Sequence, residues 1–425
     1  MAGLAGRERS LEVILGLSRN PFTPLADFDP ELTRQMFVPL SQDSSLQAMA
    51  SDTLAGTGSA FIAVVGEPGM GRTTRLNVLA HDFWESEGEY ILYEVSPLEG
   101  PDAIDDLLSF TYERSRGMMK ALKKLVLGIS ELSEEELERL RRSPASVGEA
   151  LVDYLDPIRP VALLLDDAHN MLLSGDRWSF FFFESIRELV SVMPEGIMVV
   201  MTMSPDAFNA LRKRHSALLS RMHDKVELQP LTDDEAIRIV GKRVSAFRVR
   251  EPRFDLDPLT PEAVETANRY ARGVPKRLME ILSQALEAAV ALRRTTVTEV
   301  IVDDVMEPEK PLLDFLDRVP ERYRLEVETL VRDFGGGPTT LEKLALATEV
   351  PVDEEYRRLE TLVAAGYLSK DAAGMYYIPK EVLEAGGARE EPSKRKLSKA
   401  PPKEAKKARR VSKSIERILR RSRRR

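Results

Sequence analysis

A glycine-rich stretch, GEPGMGRTT at residues 66–74, follows the apolar run FIAVV and precedes RLNVLAHDF, which has helical spacing. The stretch fits the pattern G-x-x-x-x-G-K-[ST] at every position except that of the lysine, which is Arg72 here. Glycines let successive backbone N–H groups face one anion, and the start of a helix adds positive potential. The sequence therefore predicts a strand, a phosphate-binding loop and a helix, and the alternative is an ordinary turn between a strand and a helix.

The loop predicts a nucleotide site in which each residue type has a role. Gly66, Gly69 and Gly71 supply the backbone of the cradle, and Thr73 supplies a hydroxyl for a Mg²⁺ ion. Arg72 keeps the positive charge of lysine, but its head is planar and longer, so it does not act as a compact point charge between phosphates. The residues predicted to contact ATP or ADP are Gly66, Glu67, Pro68, Gly69, Met70, Gly71, Arg72, Thr73 and Thr74.

A second motif, LLLDD, ends an apolar run with two adjacent acids, Asp166 and Asp167. Two carboxylates at the end of a buried strand are costly unless a cation neutralises them. Asp166 is predicted to hold Mg²⁺, directly or through water, and Asp167 to orient or deprotonate an attacking water as the catalytic acid–base residue. The alternative is an exposed turn at the end of a strand.

Five apolar runs alternate with helical patterns between residues 46 and 230, which predicts an α/β fold with a doubly wound parallel sheet. Residues 231–308 have helical patterns only and are predicted to form a helical lid. Residues 309–386 combine three helical patterns with two short β-like stretches, as in a winged helix-turn-helix. Residues 1–45 are predicted to be a helix and a linker, and residues 387–425 a disordered basic tail.

Charge is divided unevenly along the 425-residue chain. Residues 389–425 contain 17 Lys and Arg against 4 Asp and Glu, a net charge of +13, so residues 1–388 carry −21 of the total of −8. This division favours a polyanionic partner or an electrostatic contact between tail and body. The chain has no cysteine, which excludes disulfides and thiol chemistry. Without an apolar run that could span a bilayer or a secretion signal, no membrane span and a cytoplasmic location are expected.

The order of the motifs resembles that of an AAA+ ATPase. GEPGMGRTT, LLLDDAHN, VVMTMSP, LLSRMHDKVELQPLTDDEA and ARGVPKRLMEIL follow one another within residues 18–305. The sequence is similar to the origin-recognition and archaeal replication-initiator clade, with a looser winged-helix match to about residue 380. The segment Asn20-Pro21-Phe22 is similar to the opening of the general-secretion and transposition-accessory ATPases. The resemblance implies ATP and Mg²⁺ bound between the sheet and the lid.

The resemblance also implies further site residues. Thr202 or Ser204 would sense the γ-phosphate, and Arg221 would be an arginine finger offered to a neighbouring subunit of a homo-oligomer. Lys276 falls on the position of the family's lid arginine, with Arg277 beside it. The alternative for Arg221 and Lys276 is a solvated charge on a helix.

Several positions depart from the family's pattern. Arg72 replaces lysine, Asp167 replaces glutamate and Lys276 replaces arginine, while the sensing position lacks its usual asparagine. Each change keeps charge or polarity but alters geometry, and a small misplacement of a catalytic group can cost about 100-fold in rate. The sequence therefore predicts nucleotide binding with slow or absent hydrolysis.

The C-terminal part favours double-stranded DNA as a partner, since tail cations neutralise phosphates without sequence preference. The third helix of the predicted winged helix begins with the acidic run 353–355, which leaves Arg357, Arg358 and Lys370 for phosphate contacts. RNA, an anionic membrane or the acidic body of the chain are alternative partners for the tail.

The function predicted from these features is an ATP-binding switch that engages DNA. The alternatives are a signalling or scaffold ATPase whose winged helix binds an unidentified protein partner, and a structural subunit that binds no nucleotide.

Overall fold

The computed structural model describes residues 11–23, 30–96, 101–123, 132–174, 177–379 and 382. The described residues belong to one compact unit. The predicted basic tail at 387–425 lies outside the described residues. Within the described ranges, no helix combines the length and the apolar character that crossing a bilayer requires.

The central sheet is parallel, as predicted, and its strands are β1 (Ala60–Val65), β2 (Glu89–Glu94), β3 (Val161–Asp166), β4 (Ile197–Met203) and β5 (Asp224–Glu227). Their order across the sheet is β2-β3-β4-β1-β5. β1, β3 and β4 are buried at every position, which is the pattern of parallel strands covered on both faces. The register pairs Val65 with Met203 and Glu94 with Asp166, so the carboxyl ends of these strands share one edge.

The helices before residue 231 are α1 (11–15), α2 (Pro30–Met36), α3 (Ser44–Leu54), α4 (Arg72–Glu85), α5 (Asp102–Lys123), α6 (Glu134–Leu140), α7 (Pro144–Leu155), α8 (Asn170–Ser174), α9 (Arg177–Val192), α10 (Pro205–Arg214) and α11 (Ser216–Leu219). Alternate residues of β1 point to opposite sides of the sheet. Phe61 and Ala63 join the core formed by α5, α7 and α9, whereas Ile62 and Val64 join the core formed by α3 and α4. The sheet is therefore covered by helices on both faces, as a doubly wound fold requires.

Gly148 brings α7 and α9 into close contact. A Cβ atom at this position would lie 2.6 Å from the Cβ of Glu188 and 2.7 Å from the backbone nitrogen of Leu189. We expect Gly148→Ala to lower the free energy of unfolding by about 1–3 kcal/mol, because the backbone of α9 must shift. Urea denaturation followed by circular dichroism measures this loss.

The matched control is Gly117→Ala in α5, where an added Cβ meets no heavy atom of the described residues within 4 Å. This change should be neutral or should stabilise the chain by up to about 1 kcal/mol, since alanine favours the helix over glycine. Equal losses for the two variants would contradict the close contact at Gly148.

The helices after β5 are α12 (Asp233–Phe247), α13 (Pro261–Ala271), α14 (Pro275–Ala291) and α15 (Glu299–Met306). α12 begins at the predicted threonine cap, where the Thr232 hydroxyl accepts a hydrogen bond from the backbone of Glu235 at 3.3 Å. These helices share their core with Leu15, Leu17 and Phe22 of the N-terminal segment. The residues predicted to form a lid therefore pack around the chain's own N-terminal part.

The remaining elements form the C-terminal segment (residues 310–378): α16 (Lys310–Leu316), α17 (Arg324–Arg332), α18 (Leu341–Thr348), α19 (Val352–Ala364), β6 (Ser369–Lys370) and β7 (Tyr376–Tyr377). β6 and β7 are antiparallel, and Thr339 pairs with Tyr376 as a further bridge. Tyr376 is buried in the core that these helices share. The sequence predicted three helices and a hairpin here, and these correspond to α17, α18, α19 and the pair β6 and β7. The helix α16 was not predicted.

Candidate nucleotide-binding site

The loop between β1 and α4 turns tightly at two glycines. Gly69 and Gly71 have φ values of +83° and +86°, in the left-handed region that favours glycine. Upstream, the N–H of Gly66 donates to the carbonyl of Met203 in β4 at 3.2 Å. α4 begins directly at Arg72, so its unpaired N–H groups and the positive end of its dipole lie at the loop. This backbone arrangement can bind an anion such as a phosphate.

A buried ion pair that the sequence did not predict supports the loop from α4. Arg75 donates to the carbonyl of Gly71 at 3.1 Å and to that of Met70 at 3.3 Å. Its Nε lies 2.6 Å from Oδ1 of Asp43, and both side chains are buried. Removing one partner of such a pair leaves an uncompensated buried charge. The sequence signal was an arginine on the buried side of α4, but its partner precedes the whole sheet.

The two acids at the carboxyl end of β3, Asp166 and Asp167, are held by β4. Oδ1 of Asp166 accepts a hydrogen bond from the Thr202 hydroxyl at 2.5 Å, and the Thr202 oxygen accepts one from the N–H of Asp167 at 2.8 Å. Burial and the charge of Asp166 raise the pKa of Asp167 to about 6. Asp167 also has a φ of +51°, an uncommon conformation for a residue with a side chain. Thr202, predicted as a phosphate sensor, thus contacts both acids.

Thr73 and Asp166 are the predicted ligands of Mg²⁺. Thr73 is the second residue of α4, and its side chain is exposed at a cavity. Asp166 is 6% exposed and lies next to a second acid whose pKa is raised. Hydroxyl and carboxylate oxygens are the donors that Mg²⁺ prefers, and a cation would relieve the repulsion between the two acids. The residues present therefore fit Mg²⁺.

A cavity of about 670 Å³ opens next to the loop. It lies between the loop, the N-terminal segment and the helices α12 and α14, and its volume falls within the range of small-molecule sites. Of the predicted nucleotide contacts, Gly69, Met70, Gly71, Arg72, Thr73, Thr74 and Lys276 line this cavity. Gly66, Glu67 and Pro68 lie at the upstream end of the loop, outside the lining.

The basic residues predicted in the lid and before β5 have different surroundings. The backbone N–H of Lys276 donates to the carbonyl of Gly69 at 3.1 Å, which joins α14 to the loop. Arg277 lies 2.5 Å from Glu309 and 3.1 Å from Glu280, and it is not among the residues that line the cavity. Arg221 is exposed in the turn after α11. Lys276 is therefore placed to face a ligand, whereas Arg277 serves an ion pair.

Arg243 in α12 is a cavity residue that sequence reasoning missed. It is 6% exposed, and its Nη1 donates to the carbonyl of Pro21 at 3.1 Å. Burial lowers the pKa of Arg243 to about 10. Nothing in the local pattern of α12 distinguishes it from a solvated helix arginine.

Residues 55–211 match the protein-family model described as an AAA domain. These residues are an AAA domain. The match contains the phosphate-binding loop, the acid pair and β4, so the AAA+ resemblance predicted from the motif order is confirmed for this part of the chain. Nucleotide binding is the property that this family implies for the chain.

Relatives of the whole chain are distant. An uncharacterized HTH-type transcriptional regulator of Methanocaldococcus jannaschii is 20% identical over 337 residues, which cover 74% of this chain and 80% of that protein. The solved structure of Aeropyrum pernix ORC2 has a TM-score of 0.46 and 16% identity, covering 84% and 96% of the two chains. The Thermotoga maritima RuvB branch migration motor has a TM-score of 0.42 and 17% identity, covering 81% and 92%.

A glutamate from the C-terminal segment pairs with the loop of the AAA domain. Nη2 of Arg72 donates to Oε1 of Glu349 at 2.7 Å, and Nη1 lies 2.5 Å from Oε2. Arg72 also lies 3.3 Å from Oδ1 of Asp167 and donates to the carbonyl of Gly66 at 3.2 Å. Burial alone would lower the pKa of Arg72, but the hydrogen bond and charge of Glu349 outweigh it and raise that pKa. The forked head of arginine suits such a two-point contact, which lysine cannot make.

Glu349 itself is held by the AAA domain through its backbone. Its carbonyl accepts a hydrogen bond from the Ser204 hydroxyl at 2.8 Å, and its φ is +57°. Nε2 of His169, a residue only 2% exposed, lies 3.5 Å from Oε2 of Glu349. Burial lowers the pKa of His169 to about 4, so it is neutral at physiological pH. Ser204 was predicted to sense nucleotide, and in this structure its hydroxyl donates to the carbonyl of Glu349.

A second ion-pair cluster joins α19 to the AAA domain. Arg358 lies 2.6 Å from Asp206 of α10 and 2.9 Å from Glu326 of α17. Glu326 and Glu355 are fully buried, and burial together with the charge of Glu326 raises the pKa of Glu355 to about 8. Arg358 was predicted to contact DNA phosphates, but here it neutralises buried carboxylates. Arg357 remains exposed, with only a surface ion pair to Glu354.

Proposed function

We propose that the protein binds ATP and ADP with Mg²⁺ and acts as a nucleotide-dependent switch that engages double-stranded DNA. The observation that carries the nucleotide part is the left-handed glycine loop at the start of α4, which opens into the 670 Å³ cavity. Arg72 and Lys276 bring positive charge to the same cavity. A phosphate cradle beside an enclosed space of this size suits a nucleotide.

The roles of the residues follow from their positions. Thr73 and Asp166 would hold Mg²⁺, which supplies charge neutralisation on the phosphates. Asp167 would orient the attacking water, but its carboxylate already pairs with Arg72 at 3.3 Å. A base that is engaged by a cation accepts a proton poorly, so this contact supports slow hydrolysis. Exposed Arg221 would act on the nucleotide of a neighbouring copy.

The support for DNA comes from the C-terminal part of the chain. One relative, which aligns with this chain over 80% of its own length, is named an HTH-type transcriptional regulator. The basic residues at 389–425 outnumber the acidic ones by 13, so binding would be strongly salt-dependent. Arg358 is held in ion pairs, and Lys370 pairs with Glu360 at 2.7 Å, so of the three cations predicted for phosphate contacts Arg357 is the most exposed, and the tail adds further positive charge.

Fluorescence anisotropy of a labelled duplex tests this function. The full chain is titrated with Mg-ATP, with Mg-ADP and without nucleotide at two salt concentrations, beside a chain that ends at residue 388. We expect an affinity that depends on nucleotide, falls steeply with salt and partly survives loss of the tail. An affinity that ignores nucleotide and vanishes with the tail would contradict the switch.

One observation favours a second function, a signalling or scaffold ATPase that binds a protein. The first turn of α19 carries Asp353 and Glu354, which would repel phosphate at the end that a recognition helix presents to DNA. In this case the anisotropy experiment should show no binding by the chain that ends at residue 388, although that chain still binds nucleotide.

A further inference from the structure

We propose that the carboxylate of Glu349 occupies the outer-phosphate end of the nucleotide site. The chain as folded here would then accept a nucleoside diphosphate, and it would have to release its C-terminal segment to accept a triphosphate. This inference rests on the proposed nucleotide binding. It adds that the chain with Glu349 inserted binds a diphosphate and that the chain with Glu349 released binds a triphosphate.

The first step is the position of Arg72. A cation at this point of a phosphate loop reaches the outer phosphates of a nucleotide. In the described structure both of its terminal nitrogens lie within 2.7 Å of the Glu349 carboxylate. A carboxylate and a phosphate are recognised by the same forked donor geometry, so Glu349 takes the place where an outer phosphate would sit.

The second step is the shape of the cavity. Arg72 is part of its lining, but Asp166, Asp167 and Glu349 are not among the described residues that line it. Arg72 thus lines the cavity and also pairs with Asp167 of the acid pair. A base, a sugar and the inner phosphates have space on the cavity side, whereas the outer-phosphate side is filled by the side chains of Glu349, Asp167 and His169, whose ligand atoms lie within 4.8 Å of one another.

The third step is that Glu349 is placed by more than one contact. It follows α18 in a left-handed conformation, and the Ser204 hydroxyl holds its carbonyl at 2.8 Å. Two residues after Ser204, Asp206 pairs with Arg358 at 2.6 Å. The start of α10 thus binds both sides of the turn between α18 and α19, so the insertion of Glu349 belongs to a docked surface.

The consequence is a competition between two anions for one cation. A terminal phosphate beside the Glu349 carboxylate would place like charges in contact, and Arg72 cannot pair fully with both. A ligand that needs this position therefore favours the state in which Glu349 has left it. Ser204 binds Glu349 itself and Asp206 binds α19 close by, so departure of Glu349 removes one of these neighbouring contacts and weakens the attachment of the C-terminal segment to the AAA domain.

The test is a titration of the full chain with fluorescent ADP and fluorescent ATP in the presence of Mg²⁺. We expect tighter binding of ADP than of ATP to the natural chain. Glu349→Gln should raise the affinity for ATP by about tenfold and change that for ADP by less than about twofold, because a neutral amide competes weakly with phosphate. Glu349→Asp keeps the charge on a shorter side chain, so its affinity for ATP should lie between that of the natural chain and that of Glu349→Gln.

The matched control is Glu342→Gln, an exposed position on the same helix α18, which should leave both affinities unchanged. Because the chain has no cysteine, Lys213→Cys and Glu342→Cys introduce two exposed dye positions on α10 and α18. Energy transfer between the dyes should fall on addition of ATP and stay constant with ADP.

The outcomes separate this inference from the proposed function. Nucleotide binding with the same ATP-to-ADP ratio in the natural chain and in Glu349→Gln would overturn the inference and leave nucleotide binding in place. Energy transfer that ignores ATP at saturating concentration would overturn it as well. Absence of binding by either nucleotide in every variant would overturn the proposed function itself.

Discussion

Replacing Arg358 with methionine should lower the free energy of unfolding by about 3–5 kcal/mol, among the largest effects of any single change in the C-terminal segment. Arg358 pairs with Glu326 at 2.9 Å and with Asp206 at 2.6 Å, and Glu326 is fully buried. Without the guanidinium, a buried carboxylate has lost the cation that compensates its desolvation. Urea denaturation followed by circular dichroism measures the change.

The neighbouring Arg357 provides the control. Its side chain is 72% exposed and lies 3.2 Å from Glu354. Arg357→Met should therefore cost only about 0–1 kcal/mol, as exposed ion pairs do. Adding Glu326→Gln to Arg358→Met should recover part of the loss, because it removes the uncompensated charge. Equal losses for the two arginine variants would show that the buried pairs do not stabilise the docked segment.

Raising the pH from about 6.5 to about 8 should destabilise the protein. The pKa of Glu355 is raised from 4.5 to about 8, first by burial and then by the charge of Glu326. Between these values the folded chain holds a proton that the unfolded chain has lost, so stability falls as the pH rises. The contribution is fully present below about pH 4.5 and is lost as the pH passes about 8. One such group changes stability by about 1.4 kcal/mol per pH unit.

Other buried groups titrate at the lower end of this window or below it. Burial, together with the charge of Asp206, raises the pKa of Glu67 to about 7, which acts in the same direction as Glu355. The pKa of Asp167 is raised to about 6, which acts in the same direction but at lower pH. The pKa of His169 is lowered from 6.5 to about 4, so below pH 6.5 it acts in the opposite direction. Near pH 8 Glu67, Asp167 and His169 have largely finished titrating, so among these residues Glu355 dominates the slope there.

Thermal unfolding at several pH values measures this slope. Glu355→Gln should flatten it between pH 6.5 and 8, because the amide does not ionise. Glu342→Gln, at an exposed position, should leave the slope as it is in the natural chain. Parallel curves for Glu355→Gln and the natural chain would mean that another group carries the pH dependence.

Features that depend on neighbouring residues could be predicted from the sequence. The five strands follow from apolar runs, and the loop follows from glycines placed between a strand and a helix. Both are local patterns. In the structure the five strands form the sheet, and the loop lies at the carboxyl end of β1. Thr202 could likewise be assigned to the acid pair's surroundings, since it ends a strand parallel to theirs.

Pairs between distant parts of the chain could not be predicted. Arg72 and Glu349 are 277 positions apart, Asp206 and Arg358 are 152 apart, and a single sequence contains no signal that links them. The departure at Arg72 was visible as an arginine where lysine is usual. The carboxylate that fits the fork of this arginine belongs to Glu349, which follows α18, and local sequence patterns do not link α18 to the loop.

The separation of Arg72 and Glu349 along the chain affects how the protein folds during its synthesis. A ribosome that adds about 5–20 residues per second needs roughly 15–55 s to make the 277 residues between them. Domains fold in order as they emerge, so the phosphate loop is exposed to the solution before its internal carboxylate has been synthesised. The phosphate-binding loop of a nascent chain is therefore exposed to the cell's nucleotides before Glu349 can pair with Arg72.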